Sequence, residues 1–386
     1  MDRPAERYLV GGPTNKQTKS VYWADLKALT PPHWVADKSD GDLWLRLRNG
    51  SEIHVAGMDA PDRVEGQIWH GALLDEFGNM QARVLDEVIL PMIADTKGFL
   101  WGIGVPEGRN HYYDLIEAIK RGQWREGAKV FHWHSEDIMD PDEIAAMRAV
   151  YDEQMFAQEF GGEFVHFAGR AYYAFDEKIH CGPVKDLYDK RAPLIFCFDF
   201  NVDPGVAAVC QERKLPNGLD GTAVIGEVYV PRNSNTEVVS RKLVDDWKDH
   251  EGRIAIYGDF TGGARGSAKT QGSDWDIIKR ILRPVFGDRL SDKVTVNPPV
   301  RDRINAMNGR LKAVNGDVRM MIDPRVAPHI VKDLEGVTLI EGSAGEIDKN
   351  SAPQLTHISD ALGYYITAEF GYKKHQTLVS HGGRFA

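Results

Sequence analysis

The chain has 386 residues, of which 42% are hydrophobic and 27% are charged, and its formal net charge is −10. This length and composition predict a soluble globular protein of two domains. The sequence contains no apolar stretch of about 20 residues, which excludes a membrane-spanning helix, and its three cysteines form no CxxC pair that would indicate zinc or a disulfide framework. Contact with nucleic acid would need a local basic patch, because the net charge repels phosphate.

The first half of the sequence alternates strand and helix patterns. RYLVGG predicts a strand, SVYWADLKAL a helix, and two alternating runs around Asn49-Gly50 predict a β-hairpin. After these, we expect the strand GALLDE, the helix MQARVLDEVILPMI, the strand GFLWGIG, the helix HYYDLIEAIKRG and the strand KVFHWH. Buried strands separated by helices predict a mostly parallel sheet that is covered on both faces.

The second half is also α/β. Residues 136–190 have a looser pattern, a helical stretch and then a polar run with proline, and we expect a helical linker there. Beyond it, LIFCFDFNVDPGVAAVCQ, TAVIGEVYV and RIAIYGDF predict strands, and TEVVSRKLVDDWKDH predicts a helix. The predicted organisation is a first domain at residues 1–135, the linker at 136–190 and a second domain at 191–386.

Two adjacent carboxylates, Asp75 and Glu76, follow the buried strand of the first half. Open α/β sheets bind ligands at this end of their strands. In an ATPase, an aspartate here helps to hold Mg²⁺ and a neighbouring glutamate polarises water, although solvated acids at a strand end would give the same pattern. The loop G-x-x-x-x-G-K-[ST] that should accompany them is only approached by PTNKQTKS and by GARGSAKT, which lies in the other half.

Three segments of the first half resemble, in order and spacing, the ATPase domain of tailed-bacteriophage terminase large subunits. They are YLVGGPTNKQTKSVYWADLKAL, NGSEIHVAGMDAPDRVEGQIWHGALLDEFGNM and WGIGVPEGRNHYYDL. In that family the phosphate loop (Walker A) comes before the segment that matches GGPTNKQTK. The resemblance therefore implies an incomplete P-loop domain of the RecA/ASCE type, with Asp75 as the Mg²⁺-ordering aspartate and Glu76 as the catalytic glutamate.

The same resemblance implies further functional residues in the first half. Arg63 falls where family members carry an arginine finger, although a surface-loop arginine would explain it equally well. The family's coupling motif, which senses hydrolysis and moves the DNA grip, would include Gly104, Pro106, Gly108, Asn110 and His111.

Three aspartates of the second half lie at the ends of predicted elements. Asp199 lies in IFCFDFN, Asp259 closes RIAIYGDF and Asp360 begins the helix in THISDALGYYI. Taken singly, each is explained as a turn residue or a helix N-cap. Taken together, they could hold the two Mg²⁺ or Mn²⁺ ions of two-metal phosphodiester hydrolysis, which needs several carboxylates close together.

The order of these elements resembles a ribonuclease-H-like nuclease. A strand with an aspartate is followed by two strands, a helix, a second strand with an aspartate, and a late helix with the third. The terminase nuclease domain has this order, and the resemblance implies that Asp199, Asp259 and Asp360 are its metal ligands and catalytic residues. In VRDRINAMNGRLKAV, Arg303 and Arg310 share one face of a predicted helix, which would either contact DNA phosphates or cover the sheet.

The resemblance implies a terminase large subunit, a DNA-packaging motor component that cleaves concatemeric double-stranded DNA. It would translocate DNA with ATP hydrolysis if the phosphate loop were supplied, so the use of ATP stays open. The implied partners are phage DNA, the small terminase subunit, the portal protein of the procapsid and further copies of the chain, with no membrane. The implied location is the host bacterial cytoplasm, with transient docking on the procapsid.

Two alternatives stay open from the sequence. One is a stand-alone ribonuclease-H-like endonuclease or resolvase, which would cleave DNA without ATP and without DNA-stimulated ATP hydrolysis. The other is an inactive prophage remnant, against which the three intact nuclease aspartates argue.

Overall fold

The computed structural model describes residues 5–106, 110–165, 169–200, 203–260, 273–293, 296–340, 345–349 and 355–371. These residues form two compact units, each built on a six-stranded sheet, which confirms the predicted α/β class and the presence of two domains. The first unit takes the described residues of Met1–His134 and Gly161–His166. The second takes those of Ser135–Phe160 and Phe167–Ala386, so the region predicted as a linker is divided between the two units.

The described residues of the first unit form six strands and four α-helices. The strands are β1 (Arg7–Gly12), β2 (Val35–Ser39), β3 (Trp44–Leu47), β4 (Glu52–Gly57), β5 (Gly71–Leu74) and β6 (Phe99–Gly102). The α-helices are α1 (Asn15–Thr18), α2 (Ala24–Leu29), α3 (Leu90–Ala94) and α4 (His111–Lys120), and π-helical turns at Lys19–Trp23 and Val84–Ile89 lead into α2 and α3.

The sheet of the first unit has the order β2-β3-β4-β1-β5-β6. Strands β4, β1, β5 and β6 are parallel, as predicted, and β2, β3 and β4 form an antiparallel edge. The predicted hairpin joins β3 and β4, and Gly50 adopts φ +85° in its turn, a value that glycine reaches without strain. Leu9, Ala72 and Leu74 pack on one face of the sheet against the helical turn at Val84–Ile89.

The strand predicted at KVFHWH is wrong. Residues 129–134 belong to no strand, and the side chains of Phe131 and Trp133 are 75% and 58% exposed. Alternating aromatic and polar residues form a strand only where a neighbouring strand pairs with their backbone N–H and C=O groups. Among the described residues no strand pairs with this segment.

The described residues of the second unit form eight strands and eight α-helices. The strands are β7 (Gly169–Arg170), β8 (Leu194–Asp199), β9 (Gly205–Lys214), β10 (Asp220–Val230), β11 (Ile254–Gly258), β12 (Leu290–Asp292), β13 (Met320–Ile322) and β14 (Thr338–Leu339). The described helices are α5 (Pro141–Arg148), α6 (Glu153–Glu159), α7 (Glu177–His180), α8 (Thr236–Trp247), α9 (Asp274–Phe286), α10 (Val300–Leu311), α11 (Pro328–Gly336) and α12 (His357–Phe370).

The main sheet of the second unit has the order β12-β11-β8-β9-β10-β13. Strands β8, β9 and β10 form an antiparallel meander, and β11 runs parallel to β8. The side chains of the central strands alternate between two buried layers, with Ile195 and Cys197 on one face and Phe196 and Phe198 on the other. Helices α10, α11 and α12 cover the first face, and α8 and α9 cover the second, so both faces of these apolar strands are buried.

Candidate functional site

Asp199 and Asp259 leave the same edge of the main sheet in the second unit. Asp199 is the last residue of β8, and Asp259 directly follows β11, the parallel neighbour of β8. Phe198 pairs with Gly258 in the register of these two strands, and adjacent strands lie about 4.8 Å apart. Gly258 permits the close approach, because a Cβ atom at this position would lie 2.5 Å from the carbonyl oxygen of Phe198.

Asp360 reaches the same region from α12, which lies across β8, β9 and β11. Asp360 is the fourth residue of this helix and is 7% exposed. Tyr364 lies one turn later on α12. Burial raises the pKa of its phenol and the charge of Arg303 lowers it. The charges of Asp259, Asp199 and Asp360 all raise it further. The fold thus brings the three predicted aspartates around one tyrosine.

Each aspartate has a polar partner from a different part of the unit. His357 Nδ1 lies 3.3 Å from Oδ2 of Asp199, and Asn297 Nδ2 donates to Oδ1 of Asp259 at 2.6 Å. Arg303 donates to Oδ1 of Asp360 at 3.0 Å. These contacts hold each of the three carboxylates in place.

The sequence interpretation missed His357 and Asn297. His357 stands three residues before Asp360 at the start of α12, and a separation of three places two side chains on one helical face, which was an available signal. Asn297 lies between β12 and α10, where no sequence pattern indicates a functional residue. Its Oδ1 accepts a hydrogen bond at 2.7 Å from the backbone nitrogen of Phe260, which is 37 residues away in the sequence.

Burial and neighbouring charges act on the carboxyl group of Asp360 in opposite directions. Burial raises the pKa of Asp360, the charge of Arg303 lowers it, and the charge of Asp199 raises it again. Carboxylate oxygens are the ligands that Mg²⁺ and Mn²⁺ prefer, so the donor chemistry of these residues fits such an ion. As they stand, no three histidine, cysteine, aspartate or glutamate side chains of the described residues form a group that could hold one.

The structure places Arg303 and Arg310 differently from the phosphate-binding face predicted for them. The side chains of Arg303 and Arg310 are only 8% and 10% exposed, and each pairs with a carboxylate of its own unit. Arg310 binds Glu212 at 2.6 Å and Thr222 at 3.2 Å, and its guanidinium lies 3.7 Å from the ring centroid of Phe370. The shared face of α10 therefore packs inward, which matches the alternative that this helix covers the sheet.

In the first unit, Asp75 and Glu76 directly follow β5. The backbone of Asp75 continues the sheet by donating to the carbonyl of Gly11 at 2.8 Å, and Glu76 turns the chain with φ +54°. Tyr22 hydrogen-bonds to Asp75, and its pKa is raised first by burial and then by this carboxylate. Both acids are half-buried at the carboxyl end of a parallel strand, where α/β sheets bind ligands.

The predicted coupling segment lies against this turn. A Cβ atom on Gly104 would lie 3.3 Å from the backbone nitrogen of Phe77, and Pro106 is buried. Asn110 caps α4 and donates to the carbonyl of Gly78 at 3.0 Å.

His111 Nε2 lies 3.1 Å from the carbonyl of Phe77, so most of the predicted segment contacts the residues after Glu76. Arg63 ends a short 3-10 turn and is exposed. Gly108 and the segment GARGSAKT lie outside the described residues.

No helix within the described ranges is long and apolar enough to span a membrane. No protein-family profile matches the chain.

Two curated proteins are similar to part of the sequence. The large terminase subunit of Thermus virus P23-45 is 27% identical over 195 residues, which cover 42% of this chain and 40% of that protein. The large terminase subunit of Thermus phage G20c is 26% identical over 167 residues, which cover 40% of this chain and 33% of that protein. The chain thus spans less than half the length of these relatives.

Solved structures are similar over nearly the whole chain. The large terminase of the thermophilic bacteriophage D6E has a TM-score of 0.61 at 15% identity, covering 96% of this chain and 88% of that one. The same protein in complex with ADP has a TM-score of 0.62 at 14% identity, covering 95% and 87%. At this identity the likeness concerns the fold. Together with the curated relatives, it confirms the resemblance to terminase large subunits.

Proposed function

We propose, on the premise of this similarity to terminase large subunits, that the chain is a DNA-packaging subunit whose second unit is a metal-dependent endonuclease for double-stranded DNA. One observation carries the proposal. Asp199 and Asp259 end adjacent parallel strands, and Asp360 joins them from the helix that crosses those strands. Carboxylates concentrated in this way support phosphodiester hydrolysis with divalent ions.

The residues of the second unit have distinct tasks in this proposal. Asp199, Asp259 and Asp360 would hold two Mg²⁺ or Mn²⁺ ions, which when bound activate water and stabilise the leaving oxygen. Asn297 fixes the carboxylate of Asp259, and His357 fixes that of Asp199. Such partners keep a ligand in the orientation that binding requires.

The first unit is proposed as the nucleotide-binding domain of the packaging motor. The D6E terminase, which has a similar fold, has been solved with ADP. Asp75 would order Mg²⁺ and Glu76 would polarise water, with Arg63 as the arginine finger and the segment after β6 as the coupling element. Contacts of Gly104 and Asn110 with the turn after Glu76 support this coupling role. ATP hydrolysis would also need a phosphate-binding loop.

The proposed partners and location follow from the same function. They are phage DNA, a small terminase subunit, the portal of the procapsid and other copies of the chain on that portal. The protein would act in the host bacterial cytoplasm and dock transiently on the procapsid.

Cleavage of plasmid DNA tests the nuclease proposal. With Mn²⁺, the wild-type chain should nick and linearise supercoiled plasmid, and Asp199→Asn or Asp360→Asn should reduce the rate by about a hundredfold or more. Ca²⁺ should not replace Mn²⁺, because its looser coordination suits in-line displacement poorly.

The matched control is Asp189→Asn. Asp189 lies before β8, at the opposite end of that strand; its side chain is 44% exposed and pairs with Arg213. This variant should cleave at the wild-type rate. Wild-type cleavage by Asp199→Asn would refute the site, and cleavage that is indifferent to ATP and to the small subunit would favour a stand-alone endonuclease.

A further inference from the structure

The positively charged side chain of Arg303 is buried beside one of the three aspartates of the second unit, Asp360. The side chain of Arg303 is only 8% exposed, and its guanidinium donates to Asp360 at 3.0 Å and to the carbonyl of Pro298 at 3.2 Å. The guanidinium carbon lies 4.6 Å from the ring centroid of Tyr364, the tyrosine around which the three aspartates converge. Arg303 therefore places a buried positive charge directly beside Asp360.

The packing of α10 on α12 fixes this position. The aliphatic part of Arg303 passes over Gly363, where an added Cβ atom would lie 3.4 Å from Cβ and 3.6 Å from Cδ of the arginine. Gly363 follows Asp360 by less than one helical turn, so the stem runs along α12 directly to its carboxylate. Among the described residues, Nε of Arg303 is buried and has no hydrogen-bond partner.

A divalent ion bound by Asp360 would meet Arg303 at the same carboxylate. Oδ1 of Asp360 already accepts the guanidinium hydrogen bond, and an ion coordinated by Asp360 would approach a fixed positive charge. Like charges a few ångströms apart repel strongly at a buried site. Two other basic side chains lie nearby. Lys349 is exposed and its charge lowers the pKa of Asp360, and His357 contacts Asp199. Of the three basic side chains, Arg303 is the one that donates a hydrogen bond to Asp360.

We propose that Arg303 is a resident cation of this site, which holds Asp360 when no divalent ion is bound and competes with the ion for that carboxylate. Arg303 thereby lowers the affinity of the cluster for Mg²⁺ or Mn²⁺. Arg303 is a positioning residue in this role, since it acts through Asp360. The inference depends on the proposed function, because it requires that these aspartates bind the ion.

Calorimetric titration of the full chain with Mn²⁺ measures the competition directly. Arg303→Gln removes the charge and should tighten Mn²⁺ binding by about tenfold or more, since a neighbouring like charge is lost. Its Tm should fall in EDTA, where Asp360 loses its partner, and should rise more than that of the wild type when Mn²⁺ is added. Unchanged or weaker Mn²⁺ binding by Arg303→Gln would overturn the proposal.

Arg310→Gln is the matched control. It also removes a buried, carboxylate-paired arginine from α10, but its partner is Glu212, which is not one of the three aspartates. This variant should lose stability equally with and without Mn²⁺ and should bind Mn²⁺ as the wild type does. A tenfold gain in affinity here would show that any loosening of α10 is sufficient, and would refute the specific role of Arg303.

A charge-retaining variant covers the case in which Arg303→Gln does not fold in EDTA. Arg303→Lys keeps the positive charge but loses the planar fork that reaches both Asp360 and Pro298. If Arg303 acts by competition, this variant should bind Mn²⁺ within about threefold of the wild type. If Arg303 mainly orients Asp360 as a ligand, affinity should fall by about tenfold or more, and the proposal fails.

Asp199→Asn separates failure of this inference from failure of the proposed function. The proposed metal site predicts that Asp199→Asn binds Mn²⁺ far more weakly than the wild type. Wild-type binding by this variant would reject the metal site itself. Weak binding by Asp199→Asn together with unchanged binding by Arg303→Gln would reject only the competition.

Discussion

The stability of the second unit should depend on pH through one buried carboxyl group, that of Asp333. Asp333 lies in α11 and is 3% exposed, and its Oδ2 accepts hydrogen bonds from the backbone nitrogen and Oγ of Ser359, both at 3.0 Å. Burial raises the pKa of Asp333 from 3.8 to about 6, although the hydrogen bonds from Ser359 and the charge of His357 oppose the shift. We expect Asp333→Asn to remove this titration.

The direction of the effect follows from proton binding. A carboxyl group with a higher pKa in the folded chain than in the unfolded chain binds its proton more tightly when folded. Its stabilising contribution is therefore complete below pH 4 and is lost as the pH rises through about 6. A shift from 3.8 to about 6 corresponds to about 3 kcal/mol of unfolding free energy, since one pKa unit corresponds to about 1.4 kcal/mol.

Urea unfolding in EDTA at pH 4, 5, 6 and 7 would measure this contribution. The difference between Asp333→Asn and wild type cancels the other titrating groups, and it should move by about 2.5 kcal/mol in favour of the variant from pH 4 to pH 7, since the unfolded group is already partly ionised at pH 4. A difference that is flat across this range would refute the reasoning.

Asp323→Asn provides a control of opposite sign. Asp323 is also fully buried, but its hydrogen bonds with Arg325 lower its pKa. Its contribution is present above its unfolded value near pH 4 and is lost as the pH falls. The variant should therefore be less stable than wild type at neutral pH and approach it in acid.

Three further changes test other parts of the structure. Asn110→Ala removes the N-cap of α4 and the bond to Gly78, and thermal unfolding should show a loss of about 1 to 2 kcal/mol. Gly258→Ala forces a Cβ atom to within 2.5 Å of the Phe198 carbonyl, so it should lower Tm and weaken Mn²⁺ binding at Asp199 and Asp259 together. The 386-residue chain alone should hydrolyse ATP at background rates with DNA present, because no segment matches a complete phosphate loop; turnover lost on Lys269→Ala would contradict this.

Elements whose pattern is local were predictable from the sequence. The central strands β8 and β9 are continuous apolar runs, and the turn at Asn49-Gly50 has the residue type that its positive φ requires. The element order of the second unit also follows from these local patterns. It predicted Asp199 and Asp259 at one edge of the sheet, because parallel strands bring their carboxyl ends to one edge, whereas Asp360 was added to them by the resemblance to the terminase nuclease domain.

Features that depend on distant partners were not predictable in this way. Helical spacing placed Arg303 and Arg310 on one face of α10, but it does not say whether that face is buried. Their partners Asp360 and Glu212 are 57 and 98 residues away in the sequence. The strand predicted at residues 129–134 was wrong for the same reason. An alternating pattern does not show whether a neighbouring strand is available to pair with the segment.

The inward position of these arginines changes how positive charge near acidic motifs should be interpreted. A buried carboxylate without a partner is costly, so the fold must supply a cation or admit one. Asp360 is buried and pairs with Arg303, whereas in the second pair Arg310 is the buried partner and Glu212 is exposed. Both guanidinium groups are thus paired with carboxylates of their own unit in this structure and are not presented to DNA phosphates. In a chain with a net charge of −10, a divalent ion bound by Asp199 and Asp259 would add local positive charge for a phosphodiester at this edge of the sheet.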